Sequence, residues 1–222
     1  GSKTAKGRAI QNLINIEQDD KVKAFINTQD LKNEEYINSH YVIMATKKGQ
    51  VKKTLLEQYS RPRANGINAI TIKDEDELLE AKLTTGNSQI LLAVKSGKAI
   101  RFEEDKTRPM GRNASGVRGI TLNGPSDEVI GMVSVSDSET EILVVSENGY
   151  GKRSSLDDYR TTNRGGKGVK TLSITDKTGD LVSIKNVSDL DDLMIINKSG
   201  IAIRMDVADL RVMGRATQWV KL

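Results

Sequence analysis

VIMATKKGQVKK (42–53), ILLAVKSGKAIR (90–101), ILVVSENGYGKR (142–153) and LMIINKSGIAIR (193–204) share one plan. An apolar run ends in a glycine, and a basic residue follows four positions later. The glycines are Gly49, Gly97, Gly149 and Gly200, so the steps are 48, 52 and 51 residues. A period near fifty is the mark of a repeated supersecondary unit. The apolar runs are too short for helices and suit central strands. KKG, KSG, ENG and KSG read as hairpin turns, because glycine and asparagine accept positive φ there. The following segments alternate, which predicts that their basic side chains point away from the core.

A second marker keeps the same phase. Gly66, Gly116, Gly168 and Trp219 occupy matching places, and Gly7 marks the same place one unit earlier. INAITI, VRGITL and VKTLSI follow the three later glycines as alternating strands, and GRAIQNLI follows the first. VKAFI, VIGMVSV and LVSIKNV add one more strand per unit. Roughly four strands per fifty residues describe a propeller-like blade. The chain is thus expected to be all-β, a disc of four-stranded blades, with four to five blades in one domain over 1–222. A closed ring and an open spiral both satisfy the pattern. Helix is expected only as single turns at NEEYINSH (33–40) and LLEQY (55–59).

Composition fits thin cores shared between neighbouring repeats: 36% of residues are hydrophobic and 4% aromatic. The net charge of +4 says little by itself, but its placement is informative. Acids gather in QDD (18–20), DEDE (74–77), SDE (126–128) and DLDD (189–192). Bases gather beside the glycines. The Gly+4 positions hold Lys53, Arg101, Arg153 and Arg204, with Lys52 and Lys152 just before two of them. Four residues before the second marker stand Lys3, Arg112, Arg164 and Arg215, with Arg63 one place nearer in its copy. Eight residues before it stand Arg108, Arg160 and Arg211. Lys6 and Arg8 flank Gly7, while Arg61 and Lys167 complete the loops. Cations recurring in step with a structural unit form a row when the chain folds, and phosphate is a natural target for such a row. Solvated hairpins and salt bridges to the acidic turns are the competing roles.

Other chemistries find little support. With no cysteine there are no disulfides or thiolate metal sites. His40 is the only histidine, which excludes histidine triads and His-paired zinc. Gly168 follows Lys167 where a P-loop needs Ser or Thr. The acidic clusters recur at each repeat and read as solvated turns. Tyr59, Tyr150 and Tyr159 read as packing residues, and the five scattered tyrosines make no stacking platform for single strands. No cofactor, metal or catalytic residue is expected. No apolar stretch approaches the length of a membrane helix.

The motifs RPMGRNASGVRGI (108–120), SENGYGKRSSLDDY (146–159), ATKKGQVKKTLLEQYSRPRANGINAI (45–70) and KGRAIQNL (6–13) resemble the C-terminal domain of the DNA gyrase A subunit. The resemblance spans essentially the whole chain. It implies a β-pinwheel, whose blades exchange strands with their neighbours, and a basic rim that bends and wraps duplex DNA. The implied partners are the gyrase B subunit, together with the rest of the A subunit. The implied location is the bacterial cytoplasm, in service to ATP-dependent negative supercoiling. Catalysis and ATP would lie elsewhere, so the segment itself is expected not to be an enzyme. Two departures stand out. The family's first blade carries a Q-R-R-G-G-K-G box and is expected to precede residue 1, and the nearest match is Asn163–Gly168 in a later repeat. Trp219 stands where the family has glycine. The equivalent domain of topoisomerase IV and a propeller-type protein scaffold are the alternatives.

Overall fold

The repeat folds as a hairpin flanked by two further strands, one local and one borrowed. The computed structural model describes residues 3–7, 14, 16, 17, 19–136, 140–215 and 220–222. The first hairpin is β1 (Tyr41–Thr46) and β2 (Gln50–Leu55), and β3 (Leu78–Thr84) pairs antiparallel with β1. The next is β4 (Gln89–Val94) and β5 (Lys98–Glu103). β6 (Val117–Arg118) follows it in the chain but pairs back onto β2 of the first blade. β7 (Val129–Val135) then pairs with β4. The third hairpin, β8 (Glu141–Ser146) and β9 (Tyr150–Ser155), sends β10 (Val169–Lys170) back to β5 and pairs β8 with β11 (Leu181–Val187). The fourth, β12 (Asp192–Ile196) and β13 (Ala202–Asp206), is followed by β14 (Val220–Lys221), which returns to β9. Among the described residues there are three four-stranded sheets and one two-stranded sheet. The blade count and the exchange of strands both match the expectation.

Each hairpin turn places its glycine at positive φ: 93° at Gly49, 90° at Gly97 and 82° at Gly149. The freed carbonyl then receives the exchange segment. Gly119 donates to Gly49 O at 2.8 Å, Thr171 to Gly97 O at 2.9 Å and Leu222 to Gly149 O at 2.8 Å. At the second marker the backbones come closer still. A Cβ on Gly116 would lie 2.4 Å from Val51 O, and one on Gly168 would lie 2.5 Å from Ala99 O. Glycine recurs there because only its missing side chain lets the strands meet.

The core lies in the seams between blades. Val42 and Met44 pack with Ile37 and Leu56 on one side of the first blade, while Ile43, Ala45 and Val51 pack with Ile90, Leu92 and Phe102 of the second. Leu91 and Ala93 meet Ile142, Leu156 and Tyr159 of the third, and Leu143 meets Val207 of the fourth. Ile37 comes from α1 (Glu34–Ser39), which Asn33 caps by accepting from Tyr36 N. LLEQY forms a 3-10 turn over Leu56–Tyr59. Both single turns match expectation.

Several strands are shorter than the alternation predicted. INAITI forms none, and VRGITL and VKTLSI contribute two residues each. A strand needs a ladder partner, and these segments leave theirs after one turn of the pleat, steered away by the contacts to Gly49 O and Gly97 O. VKAFI also forms no strand: Ile26 packs against Val42 and Met44 of the first hairpin, but no ladder pairs with the segment among the described residues, and Phe25 is 90% exposed. Most of GRAIQNLI, with Arg8, lies outside the described residues, as does Trp219.

Candidate nucleic-acid interface

Strand order fixes which residues can reach a large ligand. The inner strands β3, β7 and β11 sit against one another: Met132 N donates to Glu80 Oε2 at 2.8 Å, and a Cβ on Gly131 would meet Ile184 at 2.8 Å. The exchange strands β6, β10 and β14 form the opposite edge of each sheet. That edge is the outer rim, and the basic loops spring from it. Each loop begins beside the preceding blade's second strand: Met110 N donates to Lys53 O at 2.8 Å, Thr162 N to Arg101 O at 2.9 Å and Met213 N to Arg153 O at 2.7 Å.

The basic residues separate into three groups. The Gly+4 residues form no outward row, which corrects the expectation from alternation. Lys53 is 4% exposed, 3.5 Å from Glu104 of the next blade and 4.4 Å from the Tyr41 ring centroid. Arg101 is half-buried and donates to Gln89 Oε1 at 3.1 Å and to the carbonyls of Leu156 and Tyr159, each at 3.0 Å. Arg153 is 5% exposed between Glu141 at 3.1 Å and Asp189 at 2.5 Å. Arg204 is exposed but held by Asp192 at 2.8 Å. Lys52 and Lys152 are equally buried, their ammonium groups on carbonyls of the rim loops. The physical reason is that an interior blade has no solvent face; a neighbour covers each side, so alternation chooses between two seams. Burial pulls the ammonium pKa of both lysines down to about 8.

The second group clamps the rim. Arg112 donates to Asn68 O at 3.1 Å, Arg164 to Arg118 O at 3.2 Å and to Lys106 O at 3.0 Å, and Arg215 to Lys170 O at 2.6 Å and to Asp158 O at 3.0 Å. Each guanidinium therefore ties a loop to the outer segment or turn of the blade before it. All three remain partly exposed.

The third group is free to bind. Arg63, Arg108, Arg160, Lys167 and Arg211 are exposed on the loops, Arg61 is exposed 3.8 Å from Glu34, and Lys3 and Lys6 are exposed near the start of the chain. Arg160 and Lys167 line a pocket of about 160 Å³ with Asn163 and Ile100. Sequence reading missed Arg118, Lys170 and Lys221, which are exposed on the outermost strands. Their signal is the position two residues after the second marker, which is basic in three of five copies.

Acidic turns flank the hairpin tips on the side of the inner strands. Lys47 pairs with Glu77 at 3.1 Å, Asp76 accepts from Lys48 N, Asp127 accepts from Ser96, and Lys95 lies 3.7 Å from Asp180. Glu77 is held below the ordinary carboxylate range by Lys23 and Lys47. Among the described residues, none of Arg108, Arg112, Arg118, Arg160, Arg164, Lys167, Lys170, Arg211, Arg215 and Lys221 makes an ion pair. The rim is thus a curved edge of uncompensated positive charge, suited to a polyanion.

Comparison with known proteins places this arrangement. The model of the DNA gyrase C-terminal domain, a β-propeller, matches residues 40–85, 89–136, 140–188 and 191–218. The chain is 46% identical over its whole length to the DNA gyrase A subunit of Staphylococcus epidermidis (strain ATCC 12228 / FDA PCI 1200) and 44% identical to that of Staphylococcus aureus (strain NCTC 8325 / PS 47). It spans 24% of the length of each. In fold it is similar to a solved DNA gyrase A C-terminal domain, with a TM-score of 0.84 and 24% identity over 98% of this chain and 71% of that one. A solved C-terminal domain of DNA topoisomerase IV gives a TM-score of 0.84 and 24% identity over 94% and 64%.

Proposed function

Since this chain belongs to the DNA gyrase C-terminal domain family, we propose that it binds duplex DNA along the rim of exchange strands and arginine loops and bends the duplex around it. One observation carries the reading: bases recur with the blade on the outermost strands and loops, and among the described residues all but Arg61, beside Glu34, have no carboxylate partner. Wrapping asks for phosphate neutralisation along a curve more than for base recognition. Bending a 20–30 bp duplex by 40–90° costs of order 1–6 kcal/mol, which many weak, periodic contacts can offset.

The bound duplex would be presented for strand passage by the remainder of a gyrase A subunit, working with a B subunit, in the bacterial cytoplasm. ATP and the cleavage chemistry would belong to those parts. The segment then acts as a single wrapping module within a larger pinwheel. Lys53, Arg101 and Arg153 drop out of the contact set, because internal groups already occupy them, and Arg204 is paired with Asp192.

The direct test is retention of a roughly 40-bp duplex across a salt series. About six neutralised phosphates give a slope of log K against log salt of roughly −5. Salt-insensitive or absent retention would sink the reading. Sealing a nicked plasmid with ligase while the protein is bound separates wrapping from simple binding, since only wrapping shifts the linking number.

A further inference from the structure

Three rim loops need the same internal support, and two devices provide it. In the first blade Lys52 Nζ, with no exposure, donates to Ala69 O at 2.5 Å and to Arg112 O at 2.6 Å. It thereby joins the outer segment to the loop that carries Arg108 and Arg112. Lys152 likewise holds the loop carrying Arg211, donating to Arg215 O. The corresponding residue of the second blade is Ile100, which has no donor. There the carbonyl matching Ala69 O is Gly119 O, and the backbone N–H of Gly165 reaches it at 2.7 Å. Gly165 can do so because it holds φ at 90°; Asn113 occupies its place in the first loop without positive φ. The loops are otherwise held alike, with Thr71 Oγ1 donating to Asn113 O at 2.7 Å and Thr121 Oγ1 to Gly165 O at 2.6 Å.

We infer that Lys52 and Lys152 are positioning residues of the basic rim, and that the pair Ile100 and Gly165 is an interchangeable backbone substitute for a buried lysine. The inference rests on the rim being the DNA surface. It assigns the two lysines no contact with the ligand; they set where the loop bases stand. It also explains why one loop reads Arg-Gly-Gly (164–166) and the others do not.

The test transplants one device into the other blade. Lys52→Ile removes two hydrogen bonds, leaving Ala69 O with Tyr59 alone and Arg112 O without its ammonium partner. Retention of the 40-bp duplex is expected to weaken by about tenfold. The thermal midpoint should move little, because a buried charge is removed together with its hydrogen bonds. Lys52→Ile with Asn113→Gly should recover most of the lost retention. A single variant with wild-type retention overturns the inference, as does a double variant no better than the single. Amide exchange across 108–116 gives a readout without DNA, faster in the single variant and restored in the double; unchanged exchange in the single overturns the inference. If the wild-type chain retains no duplex, the rim reading fails, while the exchange measurement still judges the loop device.

Discussion

Glu104 occupies a place where the other repeats have Leu56, Leu156 and Val207, and like them it is buried. Neither carboxylate oxygen has a hydrogen bond, so Lys53 at 3.5 Å is its main compensation. Removing one partner of a buried pair typically costs about 3–5 kcal/mol, whereas an apolar replacement of both is often neutral. Lys53→Met should therefore lower unfolding free energy by about 3 kcal/mol in urea titration, and adding Glu104→Leu should restore it. The buried lysines also set a pH response. Lys52 and Lys152 fall from 10.5 to about 8 in the fold, so above pH 8 the folded state releases protons that the unfolded chain still holds. Stability should rise from about pH 8 to 10, by up to about 1.4 kcal/mol per pH unit for each lysine. Tyr159, pushed up from 10.0 to about 12 by burial, acts in the opposite sense, since only the unfolded chain ionises between those values. Thermal midpoints are expected to peak near pH 10 and decline beyond it. The Lys52→Ile, Lys152→Ile double variant should lose the rising limb.

At the scale of the element, the exchange strand depends on one backbone approach repeated along the chain. Gly116→Ala and Gly168→Ala would drive a methyl into Val51 O and Ala99 O, with φ already positive. Gly66 also has positive φ, at 82°, but nothing lies within 4 Å of its added carbon. Gly66→Ala should thus cost only the left-handed penalty of about 1–2 kcal/mol. The other two should cost more, or release β6 or β10, as differential unfolding would show. Both marker glycines were legible in the sequence, as were the hairpins and the single-turn α1. The partner of each exchange strand was not. Arg118 pairs opposite Gln50 and Val169 opposite Ala99, about seventy residues away, and local alternation carries no address for so distant a neighbour. The direction of Lys53, Arg101 and Arg153 was misread for a related reason. Period two separates two faces of a strand, but it cannot say that both are covered.

Across the whole molecule, the acidic turns that precede β3, β7 and β11 lie on the inner-strand side of the hairpin tips, and the unpaired bases lie along the exchange-strand edge. That sorting was visible in outline, because the acidic turns and basic loops alternate along the chain. Arg118 and Lys170 show what outline alone misses: each is an ordinary basic residue until topology makes its strand the outermost one. Arg118→Ala and Lys170→Ala should each reduce the salt slope of duplex retention by about 1, with the melting midpoint unchanged. Lys53→Met, in contrast, should leave the slope alone.

Because each of the first three hairpins is closed by a strand encoded one unit later, none of those blades can mature by itself. During synthesis β2 would wait with an open edge until β6 has emerged, and such edges invite pairing with other chains. The array is laced from its trailing end, so completion of one unit is tied to arrival of the next. Contacts this distant in the chain make slow folding the expectation and cooperative loss of neighbouring blades its counterpart.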